Sequence, residues 1–237
     1  MAAENGNGVA QAGLGDSYES GSAICGISRD YPQAAFWFRK AANQGEAGAQ
    51  FALGSLYENG QGVPQDYAQA AIWYRKAAEH GLADAQYDLG DFYLFGHGVP
   101  VDYAQGIMWL RMAAEQGHPS AQTDLAHSYL TGKFVPQDYA LAASWYRKAA
   151  ERGNPDGQAG LASMYEDGQG LPKSYSEAYF WISLAAANPE LAGVYSYLSE
   201  EHAKHRDRIA SHLTQAELLN VQGRTRAWFA AHPPKAQ

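Results

Sequence analysis

Cysteine is almost missing: Cys25 is the one thiol in 237 residues. No disulfide can close within the chain, which excludes a small disulfide-stapled scaffold and favours a reducing compartment. Charge is sparse, at 18% of residues, and its balance is acidic, −8 at pH 7. A nucleic-acid binder needs a basic groove, so that class falls away, and neutral or basic protein partners fit better. No apolar run nears the ~20 residues that span a bilayer. The opening Met-Ala-Ala-Glu-Asn-Gly-Asn-Gly has neither a basic n-region nor an apolar h-region, so no signal peptide is visible. These absences predict a soluble, cytoplasmic chain.

Catalytic constellations are missing as well. No Ser-x-x-Lys exists: the residues three before the seven lysines are Trp37, Trp73, Leu130, Trp145, Gly170, Glu201 and His232. There is no His-Glu-x-x-His. Gly60-x-Gly62, Gly96-x-Gly98 and Gly168-x-Gly170 imitate a phosphate loop, but each leads to a proline and a helix-capping residue. Aspartates at that position repel an anion from the helix that follows. His202 and His205, with His212 downstream, offer two imidazoles at i, i+3 without the third and fourth ligands that zinc takes. They read as a solvated helix face. Cys25 has no activating neighbour and reads as a structural loop thiol. No metal, no cofactor and no enzymatic activity are expected.

What is present is a repeat. Trp37, Trp73, Trp109, Trp145 and Trp181 stand 36 residues apart, and so do Tyr31, Tyr67, Tyr103, Tyr139 and Tyr175. A period in the 30s is the mark of stacked helical units, none of which buries its apolar face alone. Five units are read, near 10–48, 49–84, 85–120, 121–156 and 157–186. The first carries three extra residues around Ser22-Ala-Ile24. A polar, glycine-rich lead-in over 1–8 is expected to be disordered, 187–232 to form capping helices, and 233–237 a tail.

Each unit reads as two helices. Gly60, Gly96, Gly132 and Gly168 end the first in a left-handed conformation. Val63, Val99, Val135 or Leu171 then plugs the loop ahead of Pro64, Pro100, Pro136 or Pro172. Asp30, Asp66, Asp102, Asp138 and Ser174 cap the second helix, and Gln33, Gln69, Gln105 and Glu177 are placed to complete capping boxes. Gly45, Gly81, Gly117 and Gly153 close it. Gly54, Gly90, Ala126 and Ala162 allow close helix approach to the recurring Ala-Ala pairs. The registered tryptophans and tyrosines lie on the apolar stripe and read as core. Phe134 replaces the second loop glycine of the fourth unit, so that loop is expected to be shaped differently. Beyond Pro189, Leu191, Val194, Tyr195, Leu198, Ile209 and Leu213 keep helical spacing. Thr214-Gln-Ala-Glu217 then opens a last helix that Pro233-Pro234 stops.

Ala49-Gln50, Leu53-Gly54, Tyr57, Gly60-Gln-Gly62-Val63, Asp66, Ala70, Trp73-Tyr74, Ala77-Ala78 and Gly81 resemble the Sel-1-like repeat, a relative of the tetratricopeptide repeat. The resemblance covers residues 10–186. It implies an all-α, right-handed α/α superhelical solenoid of five repeats with a C-terminal helical cap, acting as a scaffold or adaptor that gathers other proteins. It also implies an alternative, a weak β-lactam-binding or hydrolysing protein, which the missing Ser-x-x-Lys disfavours.

Repetition fixes the fold, so specificity belongs where the repeats differ. The side of the first helix opposite its apolar stripe carries the rows Phe51, Tyr87, Thr123; Ser55, Asp91, His127; and Glu58, Leu94, Leu130 with Phe95 beyond. In tetratricopeptide proteins the matching positions line the concave groove. Phe51, Ser55, Tyr87, Asp88, Asp91, Leu94, Phe95, Thr123, Asp124, His127 and Leu130 are therefore the candidate site. It is an apolar-acidic groove for a protein or peptide with hydrophobic anchors and basic residues. Phe36, Ile72, Met108 and Phe180, interrupted by Ser144, form a second row opposite the stripe of the second helix; it reads either as an interaction or dimer ridge or, equally, as a row covered by neighbouring second helices.

Overall fold

The computed structural model describes residues 2–4, 6–21, 26–188 and 196–232, Ser196 by its backbone alone. Cys25, the Ser22–Ile24 insertion, Pro189, Leu191, Val194, Tyr195 and the Pro233-Pro234 stop lie outside them. The described residues form twelve α-helices, in two units that divide at residue 118.

The first unit holds α1 (Gly8–Ser20), α2 (Tyr31–Ala42), α3 (Ala47–Asn59), α4 (Tyr67–Glu79), α5 (Ala83–Phe95) and α6 (Tyr103–Glu115). Helices pair within each repeat, and α2 packs on α3 and α4 on α5. The second unit holds α7 (Pro119–Thr131), α8 (Tyr139–Glu151), α9 (Pro155–Asp167), α10 (Tyr175–Ala186), α11 (Ser196–Ala210) and α12 (Gln215–Ala231). There α7, α8, α9 and α10 pack in series, and α11 and α12 both pack on α10.

Local chemistry sets the boundaries. Asp30, Asp66, Asp102 and Asp138 accept the N–H three residues on at 2.9–3.0 Å, and Ser174 does so at 3.2 Å. Each satisfies a donor that the first turn leaves orphaned. The complete box forms at Thr214–Glu217. At α10 the Glu177 carboxylate is turned instead to Arg224, whose Nη1 and Nη2 donate to it at 2.7 and 3.0 Å. Ahead of α1, Ala3 is buried and its carbonyl accepts from Gln11 Nε2 at 2.9 Å.

Phe134 corrects the expectation for its loop. Its φ is +70°, matching Gly62, Gly98 and Gly170 at +67° to +70°, so the loop backbone keeps its form while carrying an aromatic side chain. The tyrosines also divide. Trp73, Trp109, Trp145 and Trp181 are core, whereas Tyr67, Tyr103 and Tyr139 sit exposed at the rim and Trp37 is half-buried. The small residue of the first helix meets a large side chain rather than alanine alone. A Cβ on Gly54 would lie 2.7 Å from the Tyr74 ring.

Two polar devices join successive repeats. Arg39 Nη2 donates to the Tyr57 hydroxyl at 2.6 Å and Arg147 Nη2 to Tyr165 at 2.8 Å; Arg75 and Tyr93 make the same bond. A buried glutamine forms the other. Gln50 and Gln86 donate from Nε2 to the carbonyls of Ala42 and Ala78, both at 3.1 Å. Their Oε1 atoms face His80 Nδ1 (3.0 Å) and Gln116 Nε2 (2.7 Å). Buried amides of this kind are expensive to leave half-satisfied. Gln86→Ala is therefore expected to lower stability by about 2 kcal/mol in urea titration, and exposed Gln105→Ala by under about 0.5 kcal/mol. Equal losses would show that the amide joint is not the source.

Candidate functional site

The expected binding residues fall in both units, and each unit is taken by itself. In the first, α3 supplies Phe51, Ser55 and Glu58, and α5 supplies Tyr87, Asp88, Asp91, Leu94 and Phe95. Phe51 is half-buried, with its ring 5.5 Å from that of Tyr74. Tyr87 is half-buried and stacks on His118 at 4.6 Å, and His118 Nε2 lies 3.3 Å from Asp84 Oδ1. Phe95 is 49% exposed. His97 stacks on it at 6.2 Å and is also in contact with the rings of Tyr67 and Phe92.

Leu94 corrects the expectation of an exposed anchor: it is 6% exposed. Its side chain fills the space that Gly106 of α6 leaves, where a Cβ would meet Leu94 Cδ2 at 2.6 Å. The equivalent positions in α4 and α8 are Ala70 and Ala142. Leu94 is core.

The acidic half of the face is tighter than its spacing implied. Tyr74 donates its hydroxyl to Glu58 Oε2 at 2.5 Å. Burial and that bond hold the phenol well above its ordinary range. Burial, followed by the fields of Glu58, Asp84 and Asp91, pushes the Asp88 carboxyl up to about 7. Packing three neighbouring carboxylates around a half-buried fourth disfavours its ionisation. An incoming cation reverses that preference. Glu58, Asp84 and Tyr74 were not among the candidates, although the 36-residue row that holds Leu94 also holds Glu58.

In the second unit, α7 carries Thr123, Asp124, His127 and Leu130. Thr123 is buried, and its Oγ1 donates to the Ser120 carbonyl at 2.9 Å, so it too is no surface anchor. Asp124 and His127 are exposed and Leu130 is half-buried. Burial and then the fields of Asp124 and Asp156 push the Tyr146 hydroxyl up to about 12.

At Glu166, the α9 counterpart of Glu58, the position is occupied. His205 Nε2 and Arg208 Nη2, both on α11, meet Glu166 Oε2 at 2.6 and 3.0 Å. His205 is thus mostly buried and paired, not on a solvated face as expected. Burial lowers the basicity of His202 beside it. Among the described residues, no group of three or more His, Cys, Asp or Glu side chains could hold a metal ion, and no helix is long and apolar enough to cross a membrane.

Helix pairs of one 36-residue pattern, packed in series, define an all-helical repeat protein, a class that works through the surface left variable between repeats. The family model of the Sel1 repeat matches residues 8–46, 47–82, 83–118, 119–154 and 155–189, and the chain belongs to that family. Among solved structures it is similar to a Sel1 repeat protein from Oxalobacter formigenes, at 35% identity and a TM-score of 0.73, over 78% of this chain and 74% of that one. It is also similar to c5321, a protective antigen of uropathogenic Escherichia coli with the same fold, at 35% identity and a TM-score of 0.56. There the match covers 87% of this chain and 54% of the antigen. A Sel1 repeat protein from Klebsiella pneumoniae shares the fold at 24% identity and a TM-score of 0.51, over 89% of this chain and 96% of that one. No curated protein matches the chain. Sel1 repeat proteins are generally protein-interaction scaffolds and typically not enzymes.

Proposed function

We propose that this chain is a non-enzymatic scaffold whose α3–α5 face holds a partner segment with apolar anchors and basic side chains. The observation that carries this reading is the contrast between Glu166 and Glu58. Glu166 receives a histidine and an arginine from a helix of the same chain. Glu58 stands at the same register with Asp88 near it, and among the described residues it pairs with the Tyr74 hydroxyl and no cation. An arginine or lysine of the partner at Glu58 and Asp88 plays the part that Arg208 plays in the second unit. Phe51, Tyr87 and Phe95 supply the apolar contacts that dominate such interfaces.

The test uses the partner recovered from native lysate, with affinity measured by calorimetry. Tyr87→Ala or Phe95→Ala is expected to cost about 2 kcal/mol, as a hot spot does, and Asp91→Lys to weaken binding further. Affinity should fall as salt screens the carboxylates. It should also rise between pH 6 and pH 8. The carboxyl of Asp88 is held protonated below about 7, and only its ionised form attracts a cation. Full binding by the Tyr87→Ala/Asp91→Lys double variant would remove this face from consideration.

A further inference from the structure

The second helices present another row. Phe36 is 49% exposed, Ile72 47% and Met108 43%, each 36 residues from the next and each on the side away from the buried stripe of α2, α4 or α6. Met112, one turn beyond Met108, is 39% exposed. Three large apolar side chains repeated in one register make a coherent surface rather than scattered exposure.

The chain itself shows what this register can receive. In the second unit the same register holds Ser144 of α8 and Phe180 of α10, and Phe180, expected to be part of the ridge, is 7% exposed. Helix α12 covers it. The Arg224 guanidinium lies over the Phe180 ring at 4.5 Å and is held by both oxygens of Glu177. A helix laid against this side of a second helix is therefore a packing mode the fold already uses.

The flanking charge says what kind of helix fits the open part. Around Phe180, the residue one turn before is Glu177 and those one turn after are Ser183 and Leu184, so the covering helix brings an arginine. Around Phe36, Ile72 and Met108, the residue one turn before is Gln33, Gln69 or Gln105. One turn after come Arg39 and Lys40, Arg75 and Lys76, and Arg111. Glu79 and Glu115 lie two turns on, at the helix ends. Lys40 Nζ rests over the rings of Phe36 (4.4 Å) and Trp37 (4.8 Å), and Lys76 Nζ over Trp73 (3.9 Å). Among the described residues neither lysine has a carboxylate partner. The requirement is reversed from that at α10.

We infer that the Phe36–Ile72–Met108 row docks an amphipathic helix of a partner protein whose apolar stripe is flanked by carboxylates. The α3–α5 face is acidic and this row is basic, so the two surfaces sort partners by charge.

The experiment uses the full chain and two synthetic 18-residue helical peptides with the same leucine stripe, one flanked by glutamates and one by lysines. Binding is read by fluorescence anisotropy at low salt. The glutamate peptide is expected to bind and to lose at least tenfold in affinity with Ile72→Ser, with Met108→Ser and with Lys76→Glu. Asp91→Lys should not weaken it. Any binding of the lysine peptide should survive Ile72→Ser. All four side chains are at least partly exposed, so circular dichroism and Tm should stay at parent values and separate lost binding from lost fold. No binding of the glutamate peptide, or binding that survives Ile72→Ser, overturns the inference. So does loss of lysine-peptide binding on Ile72→Ser. A concentration-dependent dimer that Ile72→Ser abolishes, seen by sedimentation equilibrium, would instead assign the row to a second copy of the chain.

Discussion

Gly98→Ala is expected to destabilise the protein by about 3 kcal/mol or more. Two costs combine there. The backbone φ is +67°, a left-handed value that costs a residue with a Cβ about 1–2 kcal/mol. The Cβ would also lie 2.2 Å from the Tyr67 carbonyl carbon, 2.3 Å from its oxygen and 2.4 Å from Ala68 N. Those atoms belong to the first turn of α4, which Asp66 holds by its cap. No side-chain rotation relieves such a contact, so a loop or a helix end must move, at a further cost of about 1–3 kcal/mol. Gly81→Ala is the control. Its φ is +89°, but a Cβ there meets nothing within 4 Å, so only the strain remains. Urea unfolding of both variants separates the effects. A Gly98→Ala midpoint no lower than that of Gly81→Ala would show that the loop yields freely.

Phe134 sharpens that comparison. It holds φ +70° with a full aromatic side chain, so positive φ alone does not forbid a side chain in this loop. At Gly98 the contact of a Cβ with the Tyr67 and Ala68 backbone is therefore the part of the cost that the Gly81→Ala control isolates. Reading Phe134 as a change of loop shape weighed its missing glycine and had no view of the turn geometry that the flanking residues maintain.

Elements were legible because their determinants are local. An aspartate bonds an N–H three residues away, and a left-handed glycine ends the helix that precedes it; both can be read within one turn of chain. The core tryptophans were legible because the repeat shows the same decision five times. Misread positions depend on a partner outside their own helix. Leu94 has the spacing of an exposed residue, yet it is buried because Gly106, twelve residues on, leaves room for it. Phe180 belongs to an open row by register and is covered by a helix that starts 35 residues later. His205 meets Glu166 across 39 residues, a pairing no spacing rule contains. In the candidate face the carboxylates were visible singly. Their mutual field at Asp88 was not, because it requires α3 and α5 side by side.

Trp109→Ala should remove about 3–5 kcal/mol, a large share of the 5–15 kcal/mol that stabilises a typical domain. Trp109 is 8% exposed and belongs to one cluster with Ala70, Tyr74, Leu89, Phe92 and Tyr93, contributed by α4 and α5. Deleting the indole opens a cavity that these fixed helices cannot close, so the lost burial and the void add together. The loss should spread. Amide exchange should quicken across α4, α5 and α6 rather than in α6 alone, since all three share the cluster. Trp109→Phe discriminates between sources of the loss. The indole N–H is buried and meets no acceptor among the described residues, so removing it forfeits no hydrogen bond. The phenyl ring keeps part of the contact, and the expected cost is about half that of alanine. Equal losses for the two variants would place the stabilisation in the indole N–H, and a parent-like midpoint for Trp109→Ala would remove this residue from the core.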